Sequence, residues 1–164
     1  MNWKISPIPI MWIWQGWPIV VKAIQRSAKL LAAVLDRDGE AVASGIAEVH
    51  MQENSILRYN DENSLALTVT LAFYAAKEKY TIVREFPTGK GFADLVFLPR
   101  PKCSEPILLI ELKWNQSAQT AIDQILERHY PDSLLDRTGA LLIVGITYDK
   151  ETKKHSCSIQ KVEL

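Results

Sequence analysis

The stretch Pro106-Ile-Leu-Leu-Ile-Glu-Leu-Lys-Trp114 decides how the chain is read. Ile107 to Ile110 form an apolar run that follows a proline and ends at a carboxylate, Glu111. Such a run predicts a strand buried on both faces. Glu111 and Lys113 are two apart, so on a strand they share a face, roughly 7 Å from each other along the chain. Burying an unpaired charge is costly, so this pair calls for a partner, an ion or a function. The alternative is a solvated pair on an open sheet face, and the strand alone leaves both readings standing.

Outward from this strand, Tyr80 to Pro87 and Phe92 to Pro99 read as two more strands. The turn Thr88-Gly-Lys-Gly91 joins them as a hairpin. It lacks the length and the following helix of a phosphate-binding P-loop. Alternation puts Phe92, Asp94, Val96 and Leu98 on one face of the second strand and Ala93, Leu95 and Phe97 on the other. Asp94 is therefore a second carboxylate inside an apolar run. On the other side, Asn115-Gln-Ser117 caps a helix expected over about Ala118 to Tyr130, with Ala118, Ala121, Ile122 and Ile125 inward. Gln124 and Arg128 are i,i+4 partners on a neighbouring face. Ala140 to Tyr148 reads as a buried strand, and Ser156 to Val162 as an edge strand.

Upstream, Asn60 or Asp61 is a plausible N-cap for a helix running to about Glu78. Leu65, Val69, Ala72, Phe73 and Ala76 form its inward stripe. Glu62 falls on the stripe side in the first turn, where it either faces a site or simply favours the helix dipole. Val20 to Leu35 and Glu40 to His50 have helical apolar spacing, broken by Asp36-Arg-Asp-Gly39, and read as an antiparallel helix pair. Met1 to Val21 holds Trp3, Trp12, Trp14 and Trp17, interrupted by Pro7, Pro9 and Pro18. The prolines predict an extended, irregular segment. It has neither the ~20 continuous apolar residues of a membrane span nor the unbroken apolar core of a signal peptide.

The 164 residues fit one domain with a full-sized core. Lys plus Arg and Asp plus Glu each number 19, so no global basic field exists to hold nucleic acid. Phosphate binding must then come from a local cleft or an ion. Cys103 and Cys157 are far apart and form no C-x-x-C, which predicts free thiols in a reducing compartment, the cytoplasm. The division expected is a Trp/Pro-rich segment over residues 1–20 and one domain over 21–164, with the helix pair at 21–50 and the core at 60–164. Strands with helices on both sides predict an α/β domain with a mixed sheet.

Two carboxylates on neighbouring buried strands, with a lysine two past the second, suit metal-assisted phosphodiester cleavage. Mg²⁺ takes carboxylate oxygens and keeps several waters. Asp94 and Glu111 are the candidate ligands, with Glu62 a third, direct or through water. Lys113 is the candidate to orient the attacking water or stabilise developing charge.

These residues carry a resemblance. Tyr59-Asn-Asp-Glu-Asn-Ser-Leu65, Arg84-Glu-Phe-Pro-Thr-Gly-Lys-Gly-Phe-Ala-Asp94, Ile110-Glu-Leu-Lys113, Ala121-Ile-Asp-Gln-Ile125 with Tyr130, and Gly145-Ile-Thr-Tyr-Asp149 together resemble the PD-(D/E)xK nuclease superfamily. More narrowly, they resemble the C-terminal nuclease-like domain of bacterial proteins that join it to an AAA-ATPase-like module. The resemblance covers roughly Val20 to Leu164. It implies a restriction-endonuclease-like core of helix, three strands, helix and strand. It also implies a helix acid at Glu62, a metal aspartate at Asp94, the E-x-K at Glu111 and Lys113, and an auxiliary glutamine at Gln124. Ala93 stands where the family motif has proline, and the Trp-rich start does not match. Nothing resembles a G-x-x-x-x-G-K-[ST] loop, so an ATPase module is expected to be supplied elsewhere. The expected function is a nuclease using Mg²⁺ or Mn²⁺, with DNA as substrate and RNA as the second choice. The rival expectation is an inactive module of the same fold that binds nucleic acid or protein and partners an ATPase subunit.

Overall fold

The computed structural model describes residues 10–53, 61–88, 91–129, 134 and 140–162, with side chains from residue 21 onward and not that of residue 53. Helices α1 (Ile10–Leu35) and α2 (Gly39–Glu53) come first, then α3 (Glu62–Ala72) and a short 3₁₀ turn, Tyr74–Glu78. Strands β1 (Tyr80–Thr88), β2 (Gly91–Pro99) and β3 (Ile107–Trp114) follow. Helix α4 (Ala118–Glu127) leads to β4 (Leu141–Asp149) and β5 (Lys154–Val162).

The strands lie side by side in chain order. Pairing is antiparallel except between β3 and β4, which run parallel across the α4 crossover. The sheet is thus mixed, with β1 and β5 at its edges, as the sequence predicts for β5. One face carries Leu95, Phe97, Leu108, Ile110, Leu112, Val144 and Ile146 against Leu30, Val34, Ile46, Leu65 and Val69 of the first three helices. The other carries Val96, Ile107, Leu109, Leu141 and Ile143 against Ile122 and Ile125 of α4. β3 is covered on both faces, which its apolar run demands.

Local chemistry sets the helix ends. Asp38 Oδ1 accepts from Ala41 N at 3.0 Å, which starts α2. Asp61 caps α3 through the backbone N–H of Ser64 at 2.9 Å, and Ser117 caps α4 through that of Thr120 at 3.1 Å. Both caps lie at predicted positions. Asn60, Tyr130 and Pro131 lie outside the described residues.

Two expectations are corrected. Residues 10–21 are helical rather than extended, and Pro18 lies inside α1. A proline removes one backbone donor and costs a helix about 3 kcal/mol. That cost stops a short helix more readily than one that continues for four more turns. Residues 1–9, with Pro7 and Pro9, lie outside the description. Further on, α3 stops at Ala72 instead of reaching Glu78 as one helix. The Ser27 hydroxyl of α1 accepts from Ala75 N at 2.8 Å, a contact from 48 residues away that holds the tighter turn.

Among the described residues, no helix is long and apolar enough to cross a membrane. Cys103 and Cys157 are free thiols.

Candidate active site

The α4-side face of β3 changes character along its length. Ile107 and Leu109 pack beneath α4, and the next two positions on that face are Glu111 and Lys113. These are only 2% and 9% exposed, so the pair does not sit on an open sheet face. Lys113 Nζ lies 3.4 Å from Glu111 Oε1. The Gln124 side-chain amide, from α4, donates to the same oxygen. Glu111 Oε2 is buried and has no hydrogen-bond partner among the described residues.

A glycine sets the distance between helix and sheet. Gly145 on β4 is the in-register neighbour of Glu111. A Cβ there would overlap the carbonyl oxygen of Ala118 and stand 2.9 Å from the Ala121 side chain. With no side chain, α4 settles onto the sheet and Gln124 reaches Glu111. One pair further along, Thr147 lies beside Lys113, and its hydroxyl donates to Gln116 O at 2.6 Å. That bond ties β4 to the loop that enters α4.

Asp94 stands at a break in the sheet. Pairing between β2 and β3 ends at Leu95 and Ile110, one residue short of Asp94 and Glu111. In place of the ladder, Leu112 N donates to Asp94 Oδ2 at 2.7 Å. Pairing with β1 also skips this point, passing from Arg84–Leu95 to Phe86–Ala93. The skipped residue, Glu85, has φ 50°. The interruption corrects the alternation read from sequence. Ala93 packs with Val96 and Phe86 in the α4-side cluster, not with Leu95 and Phe97.

The electrostatics follow from burial. Desolvation pushes the Glu111 carboxyl up to about 7, and the negative charge of Asp94 adds to it while Lys113 opposes. Burial also raises Asp94, opposed by the Leu112 N–H and by Lys113. The Glu62 carboxylate raises Asp94 further, and the Arg84 guanidinium lowers it.

Glu62 is the site residue placed differently from expectation. It is exposed at the start of α3, not turned into the inward stripe. The first turn has no preceding turn to pack under, and Asp61 takes the capping role. Glu62 acts on Asp94 electrostatically, but among the described residues no three His, Cys, Asp or Glu side chains gather into an ion-holding group. Asp94, Glu111, Lys113 and Gln124 do come together.

Sequence reasoning assigned no role to Gly145, Arg84 or the Leu112 N–H. A glycine inside the otherwise apolar Ala140–Tyr148 was a readable sign of close backbone approach. The Leu112 donor had no sequence signal, since any residue supplies it.

A mixed five-stranded sheet flanked by helices, with an aspartate and an E-x-K on adjacent central strands, is a restriction-endonuclease-like arrangement. The family model of the PD-(D/E)XK nuclease superfamily matches residues 60–157, and the chain belongs to that superfamily. No curated protein sequence matches it.

Proposed function

We propose that the chain is a metal-dependent nuclease that hydrolyses phosphodiester bonds of DNA, with RNA as the second substrate class. The observation that carries this reading is Glu111 Oε2, buried beside Asp94 with no hydrogen-bond partner among the described residues. A bare carboxylate oxygen in a site that disfavours its charge suits a hard cation. Mg²⁺ binds through one or two carboxylates and keeps waters, so Asp94 and Glu111 suffice as the protein ligands, with Glu62 contributing through water. Mn²⁺ suits the same oxygens. The chemistry such an ion supplies is acidification of a bound water and neutralisation of charge on the phosphoryl oxygens.

The remaining work belongs to side chains. Gln124 occupies Glu111 Oε1 and aims Oε2. The Leu112 N–H holds Asp94. Lys113 is a nearly dry cation beside both acids, placed to orient the attacking water and to offset negative charge developing on the phosphate.

Plasmid and oligonucleotide cleavage with Mg²⁺ and Mn²⁺, wild type against Glu111→Gln, tests the proposal. Cleavage by wild type alone is expected; equal residual cleavage by both would sink the catalytic claim.

The zero net charge favours a second reading, a non-catalytic module that binds nucleic acid or protein and partners an ATPase subunit. Under it, Glu111→Gln leaves partner binding unchanged and wild type cleaves nothing. In both readings the protein is placed in the cytoplasm, in line with its free thiols.

A further inference from the structure

The β1–β2 hairpin turns over beside the acid pair. Ile82 and Phe86 are four apart and would share a face of a regular strand. Yet Ile82 packs with the cluster under α1 to α3, and Phe86 packs with the cluster under α4. The reversal falls at Glu85, whose φ of 50° is left-handed. That conformation is costly for a residue with a Cβ and persists only where the surrounding structure holds it.

Two side chains flank this reversal. Arg84 is exposed on β1. Its register partner on β2 is Leu95, the residue next to Asp94. Among the described residues Arg84 makes no salt bridge, whereas Lys79 and Lys113 do. Phe92 pairs with Pro87 across the hairpin, two residues before Asp94, and is 63% exposed. One exposed phenyl ring is ordinary on a protein surface. Here it shares a hairpin with an exposed guanidinium and the site aspartate.

We infer that Arg84 and Phe92 hold the substrate strand: Arg84 binds a backbone phosphate beside the scissile one, and Phe92 stacks on an unpaired base. The guanidinium fork matches phosphate oxygens, and an aromatic face stacks on any base. This rests on the nuclease reading and narrows its substrate to strands with unpaired bases near the cut.

Fluorescence anisotropy tests it without cleavage, using the Glu111→Gln protein as parent and a labelled single-stranded DNA oligonucleotide. Adding Arg84→Ala is expected to weaken binding about tenfold and to lower the log–log salt slope by about 0.7, the share of one phosphate contact on a single strand. Phe92→Ala is expected to cost about tenfold as well, with Phe92→Trp restoring the affinity. A blunt duplex should bind the parent more weakly and ignore Phe92→Ala. If both alanine variants bind the single strand as the parent does, the inference is overturned and the nuclease reading stands. If the parent binds neither oligonucleotide, the nuclease reading falls and takes the inference with it.

Discussion

Gln124 on α4 and Glu111 on β3, 13 residues apart, are joined by a hydrogen bond from the glutamine amide to Glu111 Oε1. The bond divides the work of one carboxylate. Oε1 is satisfied by Gln124 and Lys113, while Oε2 is buried with no partner among the described residues. A buried polar atom without a partner costs about 1–3 kcal/mol, so the site is less stable without a ligand than its packing would allow.

Removing the amide should therefore weaken ion binding more than it weakens the fold. Gln124→Leu keeps the volume and deletes the donor. Orienting partners of this kind are worth about 10- to 100-fold in metal affinity. Calorimetric titration with Mn²⁺ is expected to show a loss in that range, with the thermal midpoint little moved. Affinity equal to wild type would mean that Gln124 does not position Glu111.

The pH dependence of stability follows from the raised Glu111 carboxyl, at about 7 against an ordinary 4.5. The folded protein holds this proton more tightly than the unfolded chain. Its contribution is thus fully present below about 4.5 and is lost as pH rises through about 7. In EDTA, urea unfolding should show wild type losing stability relative to Glu111→Gln as pH rises from about 4.5 to about 7. Adding Mg²⁺ at pH 8 should stabilise wild type and leave Glu111→Gln unmoved. A difference between the two proteins that stays flat with pH would show that Glu111 ionises normally.

Gly145→Ala should be more damaging than a methyl group on a strand ordinarily is. The new Cβ would meet the backbone of Ala118, which cannot rotate away as a side-chain tip can. A loss of ~1–3 kcal/mol is expected from overpacking, measured by denaturant unfolding. Because α4 must lift to relieve the overlap, Mn²⁺ affinity should fall as well. Unchanged stability would show that α4 sits further from the sheet.

Asp61→Ala removes the acceptor for the Ser64 backbone and hydroxyl groups at the start of α3. A lost N-cap typically costs ~1 kcal/mol. Thermal unfolding is expected to show that drop, and Asp61→Asn to recover most of it. If alanine and asparagine behave alike, the cap contributes little.

Much of the architecture is legible in the sequence. Ile107 to Ile110 announced a strand covered on both sides, and burial of every β3 residue from Ile107 to Lys113 bears this out. The hairpin, both helix caps and the edge position of β5 followed from residue types whose preferences act within a few positions. Segments whose state depends on distant contacts are not legible in this way. The end of α3 rests on a hydroxyl from α1, and the face of Ala93 depends on a strand reversal at Glu85.

By itself the sequence determined that Asp94, Glu111 and Lys113 stand inside apolar strands, a placement that calls for partners because buried charge is costly wherever the chain puts it. Only the tertiary structure decided how they are arranged. It put Glu62 outside at the helix start, left Oε2 of Glu111 without a partner among the described residues, and used Gly145 to bring Gln124 within reach. Those outcomes depend on the distance between a helix and a sheet, which is set by packing between residues far apart in the chain and which no local pattern encodes.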